Sequence, residues 1–323
     1  MRNEDLHNKF IEALKLKIPS KNKLVSVITD ALRIERESAY RRLNGRVLFT
    51  VQEVGLLAAK LNISLDSLLH SDKAFTSMPF KIHSPLQASS LNDLADLMLE
   101  SHLSVISRMC EKNAEMGVVF DSLPIELCIP HTNLCKFMYF KWGHYFVGTN
   151  EFSEFKNWQL PPRIVQHNTE LLEKYKKYKR IFYIWDIPVI WNLTKDIKYF
   201  HSIHVLDSDD VECIKADLHE MLYRIEEIAR GVRKEPLEEG NVCFYISNVN
   251  IGTYYSYHLT EDDFCCFFKS YFIQSVVSDD YTIFTNLRNL INSMKTVSTL
   301  ISGSGEKERK LFFEEQHKII NSI

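Results

Sequence analysis

The 323-residue sequence predicts an N-terminal all-α domain of five helices over 1–70 and a C-terminal α+β domain over 91–323, helix-rich with a small antiparallel sheet. Three observations predict this division. Before residue 70, apolar residues recur three and four apart in short segments with clear stops between them. Residues 71–90, SDKAFTSMPFKIHSPLQASS, are rich in Ser, Pro and Lys and read as a linker. Beyond them, long helical patterns surround β-branched and aromatic runs between 242 and 275.

The N-terminal elements follow in order. Residues 3–17 place Leu6, Phe10, Ala13 and Leu14 along one helix, and Ile18-Pro19 stops it because Pro disfavours helical geometry in its predecessor. A second helix carries Leu24, Val25, Ile28, Ala31 and Leu32. After a break at Arg33 to Glu35, a third runs from about Arg36 to Leu43. Thr50 and Glu53 form a capping-box pattern, in which each side chain satisfies the other residue's free backbone N–H. Val51, Val54, Leu57, Ala58 and Leu61 then share a face as far as Asn62, and Ser64 caps a last short helix through Leu69.

The second and third helices, joined this tightly, form a helix-turn-helix. Residues 22–69 resemble the five-helix Cro and phage-repressor (XRE-like) type of that domain, and an eighteen-position register from Ile28 to Gly45 fits without a gap. Ile28 and Thr29 match the family's Leu-Ala pair, Ile34 the apolar turn residue, Ala39 the apolar contact of the recognition helix, and Asn44-Gly45 the polar-Gly ending. Arg33 stands where the family usually has Gly, a residue suited to positive φ. Arg42 stands where an apolar residue often packs, a role open to Leu43. The resemblance implies a DNA-binding regulator in which Arg36, Glu37 and Arg41 read base edges while Asn44 and Arg46 meet the backbone.

The chemistry of these residues agrees. Recognition helices enter the major groove by their N-terminal half, and Arg there donates two bonds to O6 and N7 of guanine. Arg36 and Arg41 lie on different lines of the helix and reach different base pairs, and Glu37 can accept from the cytosine amino group. Tyr40, Arg42 and Arg46 suit phosphates, which fixes register without reading sequence. The alternative is a solvated basic face with no partner.

Charge is unevenly placed. Residues 1–70 hold twelve Lys or Arg against eight Asp or Glu, and the remainder twenty-seven against thirty-four. Phosphate attraction is thus concentrated at the N-terminal end. No apolar stretch approaches bilayer length and no signal pattern precedes the first helix, so a cytoplasmic protein without a membrane partner is expected. Seven cysteines without C-x-x-C spacing suggest neither a disulfide framework nor a zinc finger.

In the C-terminal domain, Ser90 with Asp93 three residues on marks a helix start. Leu91, Leu94, Ala95, Met98, His102, Val105, Ile106 and Met109 then keep near-heptad spacing, suiting either a dimer seam or one more core helix. Strands are expected at Gly117–Phe120 and Arg180–Asp186, and an antiparallel meander at Val242–Ser247, Thr253–Leu259 and Phe264–Ser275. Helices are expected at Pro162–Lys179, Pro188–Ile203, Ser208–Arg230 with Gly231 as its stop, Asp279–Ile301, and from Glu306 to the end. Helices followed by consecutive strands imply α+β layering.

Candidate chemistry is sparse here. His201 and His204 with Asp207 or Cys213 lack the H-E-x-x-H spacing of a metal site, and 303–307 lacks the features of a P-loop. Cys265-Cys266 lies in an apolar run with no activating base or cation nearby. The basic run from Lys174 to Arg180 complements a helix C-terminus. Phe137, Phe140, Trp142 and Tyr145 could line an effector pocket that stacks a flat molecule, or could simply be core.

The sequence therefore predicts a DNA-binding transcriptional regulator acting as a homodimer on double-stranded DNA, with a small-molecule effector as a further partner. No enzyme activity, cofactor or metal is expected. The alternatives are an enzyme targeted to DNA and a protein-interaction module on the helix-turn-helix scaffold.

Overall fold

The computed structural model describes residues 3–61, 63, 65, 68, 81–82, 90, 93, 114–148, 152–233, 241–269 and 275–323. The chain divides into two compact units, Met1–Pro79 and Phe80–Ile323. The near-heptad segment after Leu91 and most of the helix expected after Ser64 lie outside the described residues. Within them, Ser90 Oγ does accept the Asp93 N–H at 3.1 Å.

Among the described residues of the first unit, α1 (Asn3–Lys17), α2 (Lys21–Leu32), α3 (Arg36–Leu43) and α4 (Val51–Leu61) surround one core. Phe10 and Leu14 of α1, Val25 and Ile28 of α2, Ala39 and Leu43 of α3 and Leu57 of α4 meet there, with Phe49 edge-on to Phe10. Leu43 thus supplies the apolar contact that Arg42 does not. The capping box at α4 is present in both halves, Thr50 N–H to Glu53 Oε2 at 2.8 Å and Glu53 N–H to Thr50 Oγ1 at 3.2 Å.

The second unit is built on an eight-stranded mixed sheet. Its strands are β1 (Lys81–Ile82), β2 (Glu115–Phe120), β3 (Arg180–Trp185), β4 (Asn241–Ile246), β5 (Tyr255–Leu259), β6 (Phe264–Lys269), β7 (Ser275–Ser278) and β8 (Thr299–Leu300). They lie side by side in the order β1-β7-β6-β5-β2-β3-β4-β8. The small antiparallel sheet predicted from the sequence is therefore incorrect. Strands β2, β3 and β4 run parallel, and antiparallel strands extend the sheet on both sides. The expected meander fails at its first turn, because β4 pairs with β3 and not with β5.

The reason is burial on both faces. Parallel strands need helical crossovers and read as continuous apolar runs without alternation. Here α5 (Ile125–Cys128), α6 (Thr132–Phe146) and α7 (Pro162–Tyr175) connect β2 to β3, and α8 (Trp191–Ser202) and α9 (Ser208–Ala229) connect β3 to β4. Val118, Phe120, Tyr183, Trp185 and Phe244 pack in the core these helices share with α11 (Glu306–Asn321). Val119, Phe182 and Ile184 instead join the core of α10 (Tyr281–Val297), through Ile283, Phe284, Leu287 and Ile291. The helix expected through Ile301 ends at Val297, because Thr299–Leu300 extend to pair with β4. Gly117 lets β2 lie close to its neighbours: a Cβ there would come within 2.6 Å of the Phe182 and Tyr257 rings.

Two long-range contacts brace the connections. Asp217 of α9 caps α6 from outside, its Oδ2 accepting the N–H groups of Asn133 at 2.6 Å and Leu134 at 2.9 Å. Asp186, just past β3, accepts the Ile251 N–H at 3.2 Å and so holds the segment that leads from β4 to β5.

Candidate functional site

The turn between α2 and α3 is closed by a left-handed residue. Arg33 adopts φ 53° and ψ 44°, the left-handed conformation for which glycine is the usual choice. Ile34 packs at the edge of the core, and α3 then leaves at a new angle with Glu35 as its extended N-terminal residue. At the far end Gly45 has φ 71°; its N–H meets Arg42 O at 3.0 Å, and Arg46 N–H meets Arg41 O at 2.9 Å. This pair of bonds is a Schellman motif, which closes a helix on a left-handed residue.

Between those ends α3 is two-faced. Ala39 and Leu43 are buried, whereas Arg36, Glu37 and Arg41 are exposed, as are Asn44 and Arg46 just beyond the helix. Glu37 and Arg41 are four apart and share one surface of the helix. Tyr40 is half-buried with the Lys21 ammonium 5.5 Å from its ring centre. Arg42 is placed differently from the phosphate-facing position expected of it. Its guanidinium forms a two-pronged pair with Glu53, Nε to Oε2 at 3.2 Å and Nη2 to Oε1 at 2.8 Å, with both side chains largely shielded. Arg42 therefore braces α3 against α4.

The expected aromatic pocket is also absent as such. Phe137 and Phe140 are fully buried against Phe155 and Phe200, Trp142 packs edge-on to Tyr139, and Tyr145 is 49% exposed at the end of α6. Phe137, Phe140 and Trp142 fill space instead of lining it, because neighbouring elements cover most of α6, whereas Tyr145 lies at the surface. In the basic run, Tyr175 and Tyr178 turn inward while Lys177 and Lys179 stay exposed. Asp207, once a candidate ligand, forms a reciprocal capping box with Asp210 at the start of α9.

A cavity of about 700 Å³ does exist in the second unit, on the other side of α6. Its wall is formed by α5, the start of α6, α7, α9 and Tyr183 of β3, and it is mostly apolar. Several polar groups break that surface, the buried Glu126, His131 and Asn168 among them. Glu126, 8% exposed, accepts the Tyr183 hydroxyl at 3.3 Å. Burial lifts its carboxyl from the usual 4.5 to about 7, against a smaller downward pull from its own amide and from Tyr183. His131, 3% exposed, has both ring nitrogens buried without a hydrogen bond, and the nearest carboxylate, Glu220, stands 3.8 Å away. Desolvation holds this imidazole below its usual pKa, with Glu220 and Asp217 opposing. Asn168 bridges inward, accepting from the Tyr139 hydroxyl at 2.7 Å and donating to Cys135 Sγ at 3.4 Å.

The sequence reading missed this site. Its signal was a lone carboxylate inside an otherwise apolar run, LPIELCIP at 123–130, followed at once by His131. No protein-family model, curated protein or solved structure matches the chain. No described helix is long and apolar enough to cross a membrane.

Proposed function

We propose that the protein is a sequence-specific DNA-binding transcriptional regulator that reads the major groove with α3. The observation that carries this reading is the division of α3, which buries Ala39 and Leu43 and leaves Arg36, Glu37 and Arg41 exposed. Those three side chains contact base edges. Asn44 and Arg46, at the closing turn, contact phosphates, with Tyr40 beside them. Arg42 is removed from the contact set, since pairing with Glu53 occupies it. The positive balance of residues 1–70 supplies the attraction. Within this reading the chain acts in the cytoplasm as a two-fold dimer on half-sites about one helical turn apart, under control of a small molecule held by the second unit.

The test is selection of bound duplexes from a random pool, followed by a salt titration of the full-length protein on the selected sequence. Affinity is expected to fall steeply between about 50 and 200 mM salt, with a logarithmic slope near −0.9 per neutralised phosphate. A pool that yields no preferred sequence, or binding insensitive to salt, overturns the reading.

A further inference from the structure

We propose that the cavity of the second unit binds an organic ammonium compound, its cationic head at Glu126 beside Tyr175 and Tyr183 and its apolar body along Leu172, Met221, Ile225 and Ile228. This deepens the regulator reading by naming the class of the controlling molecule. It rests on that reading only for the effect on DNA, not for binding itself.

The argument begins with Glu126. A carboxylate offers about four acceptor positions, and this one receives only the Tyr183 hydroxyl and its own amide. Among the described residues no Lys or Arg forms an ion pair with it. Burying an acid without a counter-charge is costly, and a cation brought from outside offsets the cost. The same wall carries Tyr175 and Tyr183, each stacked on one side, by Tyr178 and by Phe244, and aromatic rings at such a wall attract ammonium groups. Carboxylate and aromatic rings together favour a positive head over a neutral or negative one.

The remaining wall fits the rest of such a molecule. Its volume lies within the roughly 300–1,000 Å³ typical of small-molecule sites. His131 Nδ1 faces Glu220 at 3.8 Å, whereas its Nε2 is buried without a hydrogen bond, a second polar contact for a hydroxyl or amide of the ligand. Two cations at the opening are already occupied. Lys176 pairs with Glu173 at 2.5 Å, and Lys136 sits 4.2 Å over the Phe155 ring. Arg224 also reaches the wall, which makes an anionic ligand the rival to be separated.

Three matched sets added to the full-length protein separate the classes: hexylamine and phenethylamine, hexanol and phenethyl alcohol, hexanoate and phenylacetate. Thermal melts and titration calorimetry read the result without DNA present. The amines are expected to raise Tm and to bind at least roughly tenfold tighter than the alcohols and acids. Glu126→Gln is expected to erase that preference, and Leu172→Trp, which fills the cavity from its rim, to weaken all three sets while circular dichroism stays unchanged. Tighter binding of the acids, amine binding unaltered by Glu126→Gln, or no stabilisation by any set overturns the proposal. If the amines bind in this way but the duplex selection and salt titration find no DNA binding, the regulator reading alone is overturned.

Discussion

Arg42 and Glu53 are joined by two hydrogen bonds across the α3–α4 junction, and Glu53 Oε2 accepts the Thr50 N–H as well. One carboxylate thus caps α4 and fixes the angle of the helix before it. Burial raises its pKa, but the hydrogen bonds from Arg42 and Thr50 outweigh that effect and hold it below the usual carboxylate value.

A pH dependence follows. For an acid whose folded pKa is depressed, the stabilisation is complete above the unfolded value and is lost as pH falls through the folded one. Glu53→Gln should therefore cost about 1 to 3 kcal/mol at neutral pH and progressively less in acid. Melting curves of wild type and variant should converge as pH drops below the carboxylate range. A constant gap between them would refute the coupling.

Arg41→Ala should cost about 1 to 3 kcal/mol on the preferred duplex and relax discrimination at one base pair. Arg42→Lys should do the reverse, lowering Tm while leaving base preference unchanged, because its two-pronged contact is internal. Competition with single-base variants of the selected site distinguishes them. Equal weakening on all sequences by Arg41→Ala would show that it meets phosphate.

The N-terminal helices were legible because their signals are local. Pro19, the Thr50–Glu53 box and the Asn44-Gly45 ending each act within a few residues, and each appears where spacing places it. The sheet was not, because pairing is set at long range. The strand at 241–246 lies next in sequence to that at 255–259, yet its partner at 180–185 is some sixty residues back. The short apolar run at 117–120 gave no hint that it forms the middle of the sheet. Tyr145 and Phe140 looked alike in sequence, and only the packing around α6 separates a surface ring from a core one.

Glu126 should make the protein less stable as pH rises. Its folded pKa of about 7 exceeds the usual 4.5, so the folded state holds a proton the unfolded state has released, and stability falls across that interval. Glu126→Gln should raise the unfolding free energy above pH 7, by on the order of 3 kcal/mol at most, and change it little near pH 4. Urea titrations at both pH values check this; destabilisation at pH 8 would contradict it.

His219 and His317 bind α9 to α11, their Nδ1 atoms 2.6 Å apart and their rings stacked at 4.8 Å. Burial, with His219 adding to it, pushes the His317 pKa down. For a base depressed in this way stability is full above the unfolded value near 6.5 and declines below it. The opening free energy read from amide exchange in α11, corrected for the intrinsic exchange rates, should therefore fall between pH 7 and pH 5, and His219→Gln should flatten that change. An unaltered exchange profile in the variant would refute it.

Lys81–Ile82 pair with Val276 and Val277, inside a stretch whose composition alone marks it as tether. A fragment begun at residue 91 would strip this outermost rung and leave the β7 backbone with open amides and carbonyls, an invitation to self-association. Expression of the second unit as a sample free of aggregation should depend on starting no later than Phe80.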